Sequence, residues 1–349
     1  MSALRPRVAH VMAGAAHGGA EMFFERLCLE QKKTGLEVLP VIRRNGDRRA
    51  RLEAGGLAPA ELGFGGRLDL LTAPRLRRVL RQSAPDVVVT WMNRAARFSP
   101  EGDWTLAGRL GGFYDLSWYR RCAHLVGNTK GLVSWMRAQG WPEDRVHYVP
   151  NFAYDIRPVS PERPDSIPRE APFILALGRL HPNKAFDVLI RAMAYLPSVY
   201  LVIAGEGPER GSLEDLARRT GVADRVLMPG WAASAPLIRA CDVLVCPSRH
   251  EPLGNVVIEG FSAGVPVVAA ASQGPSELIV SGENGLLAPV EDERGLADRI
   301  SQALGDQDLA RRIGAAGRAV YEQDFAPEPV LAAWERFLSD VSPDRGRRG

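Results

Sequence analysis

At 349 residues the chain exceeds one average domain, so two domains or one large α/β domain is expected. Its 46% apolar and 24% charged composition, with no low-complexity or collagen-like bias, leaves disorder a poor reading everywhere except the terminal "SPDRGRRG". The net charge of +3 conceals an asymmetry: residues 1–155 carry 23 Lys and Arg against 15 Asp and Glu, the remainder 21 against 26.

The first segment, "RVAHVMAG", reads as a strand, followed by a helix from about Gly19 to Thr34. Then come "EVLPVI", a basic helix, "PDVVVT", "AHLVGN", a helix near 129–139 and "VHYVP". Short apolar runs alternating with helical periods are the βαβ grammar of a parallel sheet. Residues 157–172, "RPVSPERPDSIPREAP", hold five prolines without a period and are expected to form a linker. A second series follows: "FILALGR", helix 184–195, "VYLVIAG", helix 208–219, "DRVLMPG", "CDVLVCPS", helix 254–264, "VPVVAA", helix 274–281. Two doubly wound α/β domains are the economical architecture, over 1–156 and 173–325, with a helix and a disordered tail at 326–349. Helical patterns near 291–304, 306–322 and 326–340 close the chain. The last sets Val330, Leu331, Trp334, Phe337 and Leu338 on one face, which must pack somewhere.

No apolar run reaches the roughly 18 residues of a membrane span, and "MSALRPRVAH" lacks a signal-peptide core, so a cytoplasmic protein is expected. Cys28, Cys122, Cys241 and Cys246 form no CxxC pair; the last two flank a strand-like run at odd spacing, which points them to opposite faces as buried thiols rather than zinc ligands. The excess arginines of the first half cluster at Arg43, Arg44, Arg48, Arg49 and Arg51 and at Arg75, Arg77, Arg78 and Arg81. A solvated helix face or attraction to anionic lipid or an anionic acceptor both fit; nucleic acid fits poorly, because no aromatics are interleaved.

In open α/β sheets ligands bind outside the carboxyl ends of the strands. Four loops there are unusual. "HGGAE" places Gly18 and Gly19 at a helix start, where close backbone approach and an anion are both favoured. "GRLHPNKAFD" places Arg179 and Lys184 five residues apart at a strand-to-helix loop, a fit for a diphosphate. "VIAGEGPER" imitates a dinucleotide fingerprint, but its glycines, beginning at Gly205, are spaced GxGxxxG, one residue too long for a nicotinamide cofactor. "HEPLGNVVIE" sets Glu251 and Glu259 eight residues apart around Pro252, Leu253, Gly254, Asn255 and Val256, at a helix start whose N–H groups point outward. Two carboxylates so separated suit the two polyol ends of a nucleotide sugar, hexose and ribose.

Together, "GGAE", "GRLHPNKAFD", "VIAGEGP", "VLMPGW", "CDVLVCPSRHEPLGNVVIEGFSAGVPVVA" and "GPSELIVSGENGLL" resemble the retaining, metal-independent glycosyltransferases of family four, of the two-domain GT-B fold. The resemblance implies that the carboxyl half binds a nucleotide-sugar donor, with Arg179 and Lys184 on the diphosphate. It places Glu251 at the transferred sugar, Glu259 at the ribose, and Leu253, Gly254, Asn255 and Val256 at sugar and phosphate. Gly19 matches the glycine that meets donor phosphate from the other domain, and Gly230 and Trp231 lie where the base stacks. The final helix resembles one that crosses back to the amino-terminal domain. The implied acceptor is a glycan or lipid-linked molecule of cell-envelope or lipopolysaccharide synthesis, met by a cytoplasmic enzyme at the inner membrane face, with no cofactor and no metal.

One departure stands out: relatives carry a histidine at the end of an amino-domain strand, where "WTLAGRLGGFYD" offers Gly111 and Gly112, and His17, His124 and His181 are poor substitutes. His181 is expected to serve the structure of the Lys184 loop instead. The string Asp306 to Asp308 reads as helix capping rather than a metal motif. Competing readings are a sugar-nucleotide epimerase or phosphorylase of similar fold, and a non-catalytic sugar-nucleotide-binding protein.

Overall fold

The computed structural model describes residues 5–15, 18–66 and 68–343. The chain opens with β1 (Val8–Met12), α1 (Gly19–Lys33), β2 (Val38–Arg43), α2 (Gly46–Ala54), β3 (Ala60–Leu62), α3 (Thr72–Ser83), β4 (Val87–Trp91), α4 (Met92–Phe98), β5 (Thr105–Leu110), β6 (His124–Gly127), α5 (Lys130–Ala138) and β7 (Val146–Tyr148). It continues with β8 (Phe173–Leu177), α6 (Phe186–Ala192), β9 (Tyr200–Ala204), α7 (Arg210–Arg219), β10 (Val226–Gly230), α8 (Ser234–Ala240) and β11 (Val243–Cys246). The remainder is α9 (Asn255–Ala263), β12 (Val267–Ala270), α10 (Gln273–Leu278), β13 (Leu286–Ala288), α11 (Glu293–Gly305), α12 (Gln307–Val320) and α13 (Pro327–Val341).

These elements form two compact units, one of residues up to Asn151 plus those from Pro327 onward, the other Phe152–Ala326. The first holds a parallel seven-stranded sheet in the order β3-β2-β1-β4-β5-β6-β7; the second holds a parallel sheet in the order β10-β9-β8-β11-β12-β13. Strand order reverses between β1 and β4 in one sheet and between β8 and β11 in the other. Such reversals open a crevice at the carboxyl edge, because successive crossovers leave to opposite faces. Strands β1, β4, β5, β8, β9, β11 and β12 are buried along nearly their whole length, and α6, α7 and α11 cover one face of the second sheet with Leu189, Ile190, Leu213, Leu296 and Ile300.

Several elements differ from the sequence reading. β3, β13, α2, α4 and α8 carry no clear period in the sequence, and β5, implied only by the family resemblance at "WTLAGRLGGFYD", has its apolar run broken by the charged Arg109 within "TLAGRL". The proline-rich segment 157–172 is not a free linker but part of the second unit: Ile167 is in its core, Arg163 stacks on Phe173 at 4.9 Å, and Glu162 N–H donates to Pro236 O at 3.1 Å. Proline removed the periodic signal without preventing packing. Cys241 and Cys246 share one core cluster instead of facing apart, because Cys241 ends α8 and lies outside the strand whose alternation was assumed. The final helix seats its apolar face in the first unit: Trp334 is fully buried, 6.0 Å from the His10 ring, and Thr105 Oγ1 donates to Val341 O at 2.6 Å. Most of the tail expected to be disordered lies outside the described residues. Asp306 accepts from Leu309 N–H at 2.9 Å and caps α12 as expected.

Candidate functional site

The loops leaving β8 and β11 flank the strand-order reversal of the second sheet, and they carry the residues singled out in the sequence. After β8, Gly178 takes φ +142° and sets the chain on edge so that its N–H donates to Ala204 O at 3.2 Å. Gly205 follows β9 with φ +158°; its N–H donates to Gly230 O at 2.8 Å, and a Cβ on it would run into Gly178 O. Gly230 ends β10 at φ +88°. Three neighbouring strand ends are thus stacked backbone on backbone, which explains the glycine at each. Trp231, next along, is 70% exposed, and Arg179 also stands exposed.

His181 Nδ1 accepts from Asn183 N–H at 3.3 Å, closing the short helical turn Pro182–Lys184 as the sequence suggested. That turn delivers Lys184 toward β11, where its Nζ pairs directly with Glu251. Glu251 is 9% exposed, and its Oε2 also accepts from Ser248 Oγ at 3.3 Å. Burial favours the neutral amine of Lys184, but the Glu251 carboxylate outweighs it and raises the ammonium's pKa, so the lysine keeps its charge. Burial holds the adjacent Cys246 thiol up at about 11, aided by Glu251, leaving it an uncharged wall.

Past Glu251 the chain turns at Gly254, φ +90°, into α9. Gly274 N–H donates to Glu251 O at 2.8 Å, and the Gly274 α-carbon lies so close to Leu253 that no side chain fits. Leu253 is buried, while Asn255, Val256 and Glu259 are half-buried along the open first turns of α9, whose early N–H groups lack carbonyl partners within the helix. The arrangement offers a fixed ammonium, a carboxylate and outward N–H groups within one strand-end crevice. It suits a polyhydroxylated anion.

Arg249 escaped the sequence reading although it secures this loop. It donates to Asp187 Oδ2 at 2.7 Å, to Pro182 O at 2.5 Å and to Glu291 Oε2 at 3.0 Å, fastening the Glu251 loop to the Lys184 turn and to the segment before α11. Burial disfavours the Asp187 carboxylate, but Arg249 and Arg191 overcome this and hold it below its usual range. Partners 42 and more residues away leave no local sequence signal.

In the first unit, Gly18 caps α1, which begins at Gly19. Glu21 folds back beneath that loop, accepting from Ala15 N–H at 2.7 Å and filling the space a side chain at Gly14 or Gly18 would need. His17 lies outside the described residues. Of the first arginine cluster, Arg48 is buried against Glu25 at 2.9 Å, Arg51 binds Glu25 at 2.6 Å and Arg49 binds Glu61 at 3.2 Å, while Arg43 and Arg44 are exposed. Arg75, Arg77, Arg78 and Arg81 are all exposed on α3. Exposed Leu68 (94%), Leu70 (82%) and Leu71 (59%) precede them. The loop is clamped by Asp69, whose carboxylate accepts from Thr72 Oγ1, Thr72 N–H and Gly65 N–H and is thereby depressed to about 2.

Residues 161–320 match the family model described as glycosyl transferases group 1. The chain is 34% identical over 329 residues to LpsE of Rhizobium meliloti, a lipopolysaccharide core biosynthesis glycosyltransferase, across 92% of this chain and 96% of that one. A second protein of the same description and organism, LpsD, is 34% identical over 336 residues, across 94% and 96%. Among solved structures, HepE of Anabaena in complex with UDP superposes with a TM-score of 0.83 at 21% identity, over 96% of this chain and 100% of that one.

Proposed function

The chain belongs to the group 1 glycosyl transferases and has their GT-B fold of two parallel Rossmann-like sheets, and from that premise we propose that it transfers a hexose-type sugar, with retention and without a metal, from a nucleotide-sugar donor to a hydroxyl of a lipopolysaccharide-type or other cell-envelope glycan acceptor. The observation that carries this reading is the Lys184–Glu251 pair at the mouth of α9. Lys184 and Arg179 take the donor diphosphate, assisted by the N–H groups at Gly254 to Val256. Glu251, freed from Lys184 as the phosphate arrives, accepts from the hydroxyls of the transferred sugar. Glu259 takes the ribose, and Trp231 beside Gly230 and Gly205 takes the base. Departure of the diphosphate is driven by fixed positive charge, so the departing phosphate itself removes the acceptor proton on the same face.

The acceptor's lipid environment is met through α3. Among the described residues no helix is long and apolar enough to cross a membrane, and the exposed arginines of α3 beside Leu68, Leu70 and Leu71 supply charge attraction and shallow apolar contact instead. The test is a screen of nucleotide sugars for thermal stabilisation, then acceptor-dependent release of nucleoside diphosphate from the stabilising donor. Release unaffected by chelator is the expected result. Activity abolished by chelator and restored by magnesium or manganese would overturn the metal-free mechanism, and donor turnover indifferent to acceptor would overturn transfer.

A further inference from the structure

Arg109 sits on β5 in an otherwise apolar run and is 2% exposed. No carboxylate pairs with it among the described residues. Its Nη2 donates to Asn151 Oδ1, its guanidinium carbon lies 4.5 Å from the Trp91 ring centre and 5.1 Å from that of Phe23, and its buried Nε has no partner. Cation–π contacts return about 1–2 kcal/mol, whereas an uncompensated buried charge costs several. Burial accordingly pulls the guanidinium down to about 9. This arginine is a net burden on the fold unless something else supplies a negative charge.

The geometry shows where that charge would arrive. β5 exits at Gly111, which is half-buried and so open to solvent on one side. A Cβ there would lie 3.5 Å from Arg109 Nη1 and 3.8 Å from Asn128 Nδ2. Two nitrogens that only donate therefore border a spot from which a side chain is withheld. Arg109, Gly111 and Asn128 lie at the carboxyl ends of β5 and β6, one and two strands beyond β4, where the strand order reverses.

We propose that Arg109, with Asn128 beside the bare face of Gly111, binds the carboxylate or phosphate of an anionic sugar acceptor. The assignment of that ligand as acceptor rests on the transferase reading above, but the anion site is tested without measuring transfer. In the intact protein the Trp91 indole N–H resonance, identified by its loss in Trp91→Phe, is followed during titration with glucuronate, glucose 6-phosphate and glucose. A saturable shift with one or both anions and none with glucose is expected, and which anion acts distinguishes a sugar acid from a sugar phosphate. Arg109→Met should weaken that binding by roughly tenfold or more, the loss of one charge-assisted hydrogen bond, and Arg109→Lys should retain part of it. Removing an uncompensated charge should leave the thermal midpoint of Arg109→Met equal to wild type or higher. Equal shifts with glucose, no saturable shift with either anion, binding that survives Arg109→Met, or a midpoint lowered by several degrees would each overturn the proposal. The last would mean that the arginine serves packing alone.

Discussion

At His10 the ring is fixed by two partners of opposite kind. The Trp91 indole can only donate, and it does so to Nδ1 at 3.2 Å; the ring therefore carries its proton on Nε2, which donates to Gln31 Oε1 at 2.8 Å. Full burial, opposed by the Gln31 hydrogen bond, lowers its pKa to about 4. The unfolded chain takes up a proton near pH 6.5 that the folded chain refuses until about pH 4, so stability is undiminished above 6.5 and is lost as pH falls through that window. The loss should approach about 3 kcal/mol. Denaturant titrations of wild type and His10→Gln between pH 7 and pH 4 check this, since the variant should lack that part of the slope. At the donor-type site, Glu251→Ala should lose most turnover while the fold is retained, read as nucleoside diphosphate release alongside the unfolding midpoint. Glu251 and Lys184 were legible because Gly178, Pro252 and Gly254 punctuate the chain at strand ends. Arg249 and Arg109 were not, since an arginine's worth here depends on what lies around it in space: one is crowded by carboxylates from α6 and from the segment before α11, the other isolated among aromatic rings.

Among elements, the alternation of apolar runs with helical periods located most of the second unit, where strands are short and apolar. It failed where chemistry interrupted the pattern, at β5 with its buried arginine and at the packed prolines of 157–172. Within "AGEGPERG" the glycines look alike, yet they have different surroundings. Gly205 has a positive φ and the Gly178 carbonyl against its α-carbon, so Gly205→Ala should cost about 1–3 kcal/mol and displace the β8 loop that carries Arg179, weakening donor binding. Gly211 is in the first turn of α7 with open space around it. Gly211→Ala should stabilise by about 0.5–1 kcal/mol, because alanine restricts the unfolded chain and favours helix. Opposite shifts in the two unfolding midpoints would bear out the stacked strand ends; parallel shifts would not.

For the whole molecule, the excess positive charge of the first half is partly paired, Arg48 and Arg51 with Glu25 and Arg49 with Glu61, and partly displayed on the surface, at Arg43 and Arg44 and along α3. The displayed arginines should respond to lipid. Co-sedimentation with anionic vesicles should fall between low and high salt, and fall again when Arg75, Arg77, Arg78 and Arg81 become glutamine. Each arginine near the surface contributes about 1 kcal/mol within a screening length of about 8 Å. Replacing Leu70 and Leu71 by serine should remove the salt-resistant remainder; binding indifferent to all of these would leave α3 a solvated face. The seating of Trp334 beside His10 bears on how the protein is made. The first unit is the first to emerge during synthesis, yet the helix that buries its last apolar face, α13, emerges only after all of Phe152–Ala326 has been translated. The second unit is continuous and can close on its own as it leaves the ribosome. The half that is synthesised first is therefore finished last. A nascent chain stalled before Pro327 would present an uncovered aromatic surface to chaperones, and a message truncated there would yield one complete unit beside one left open.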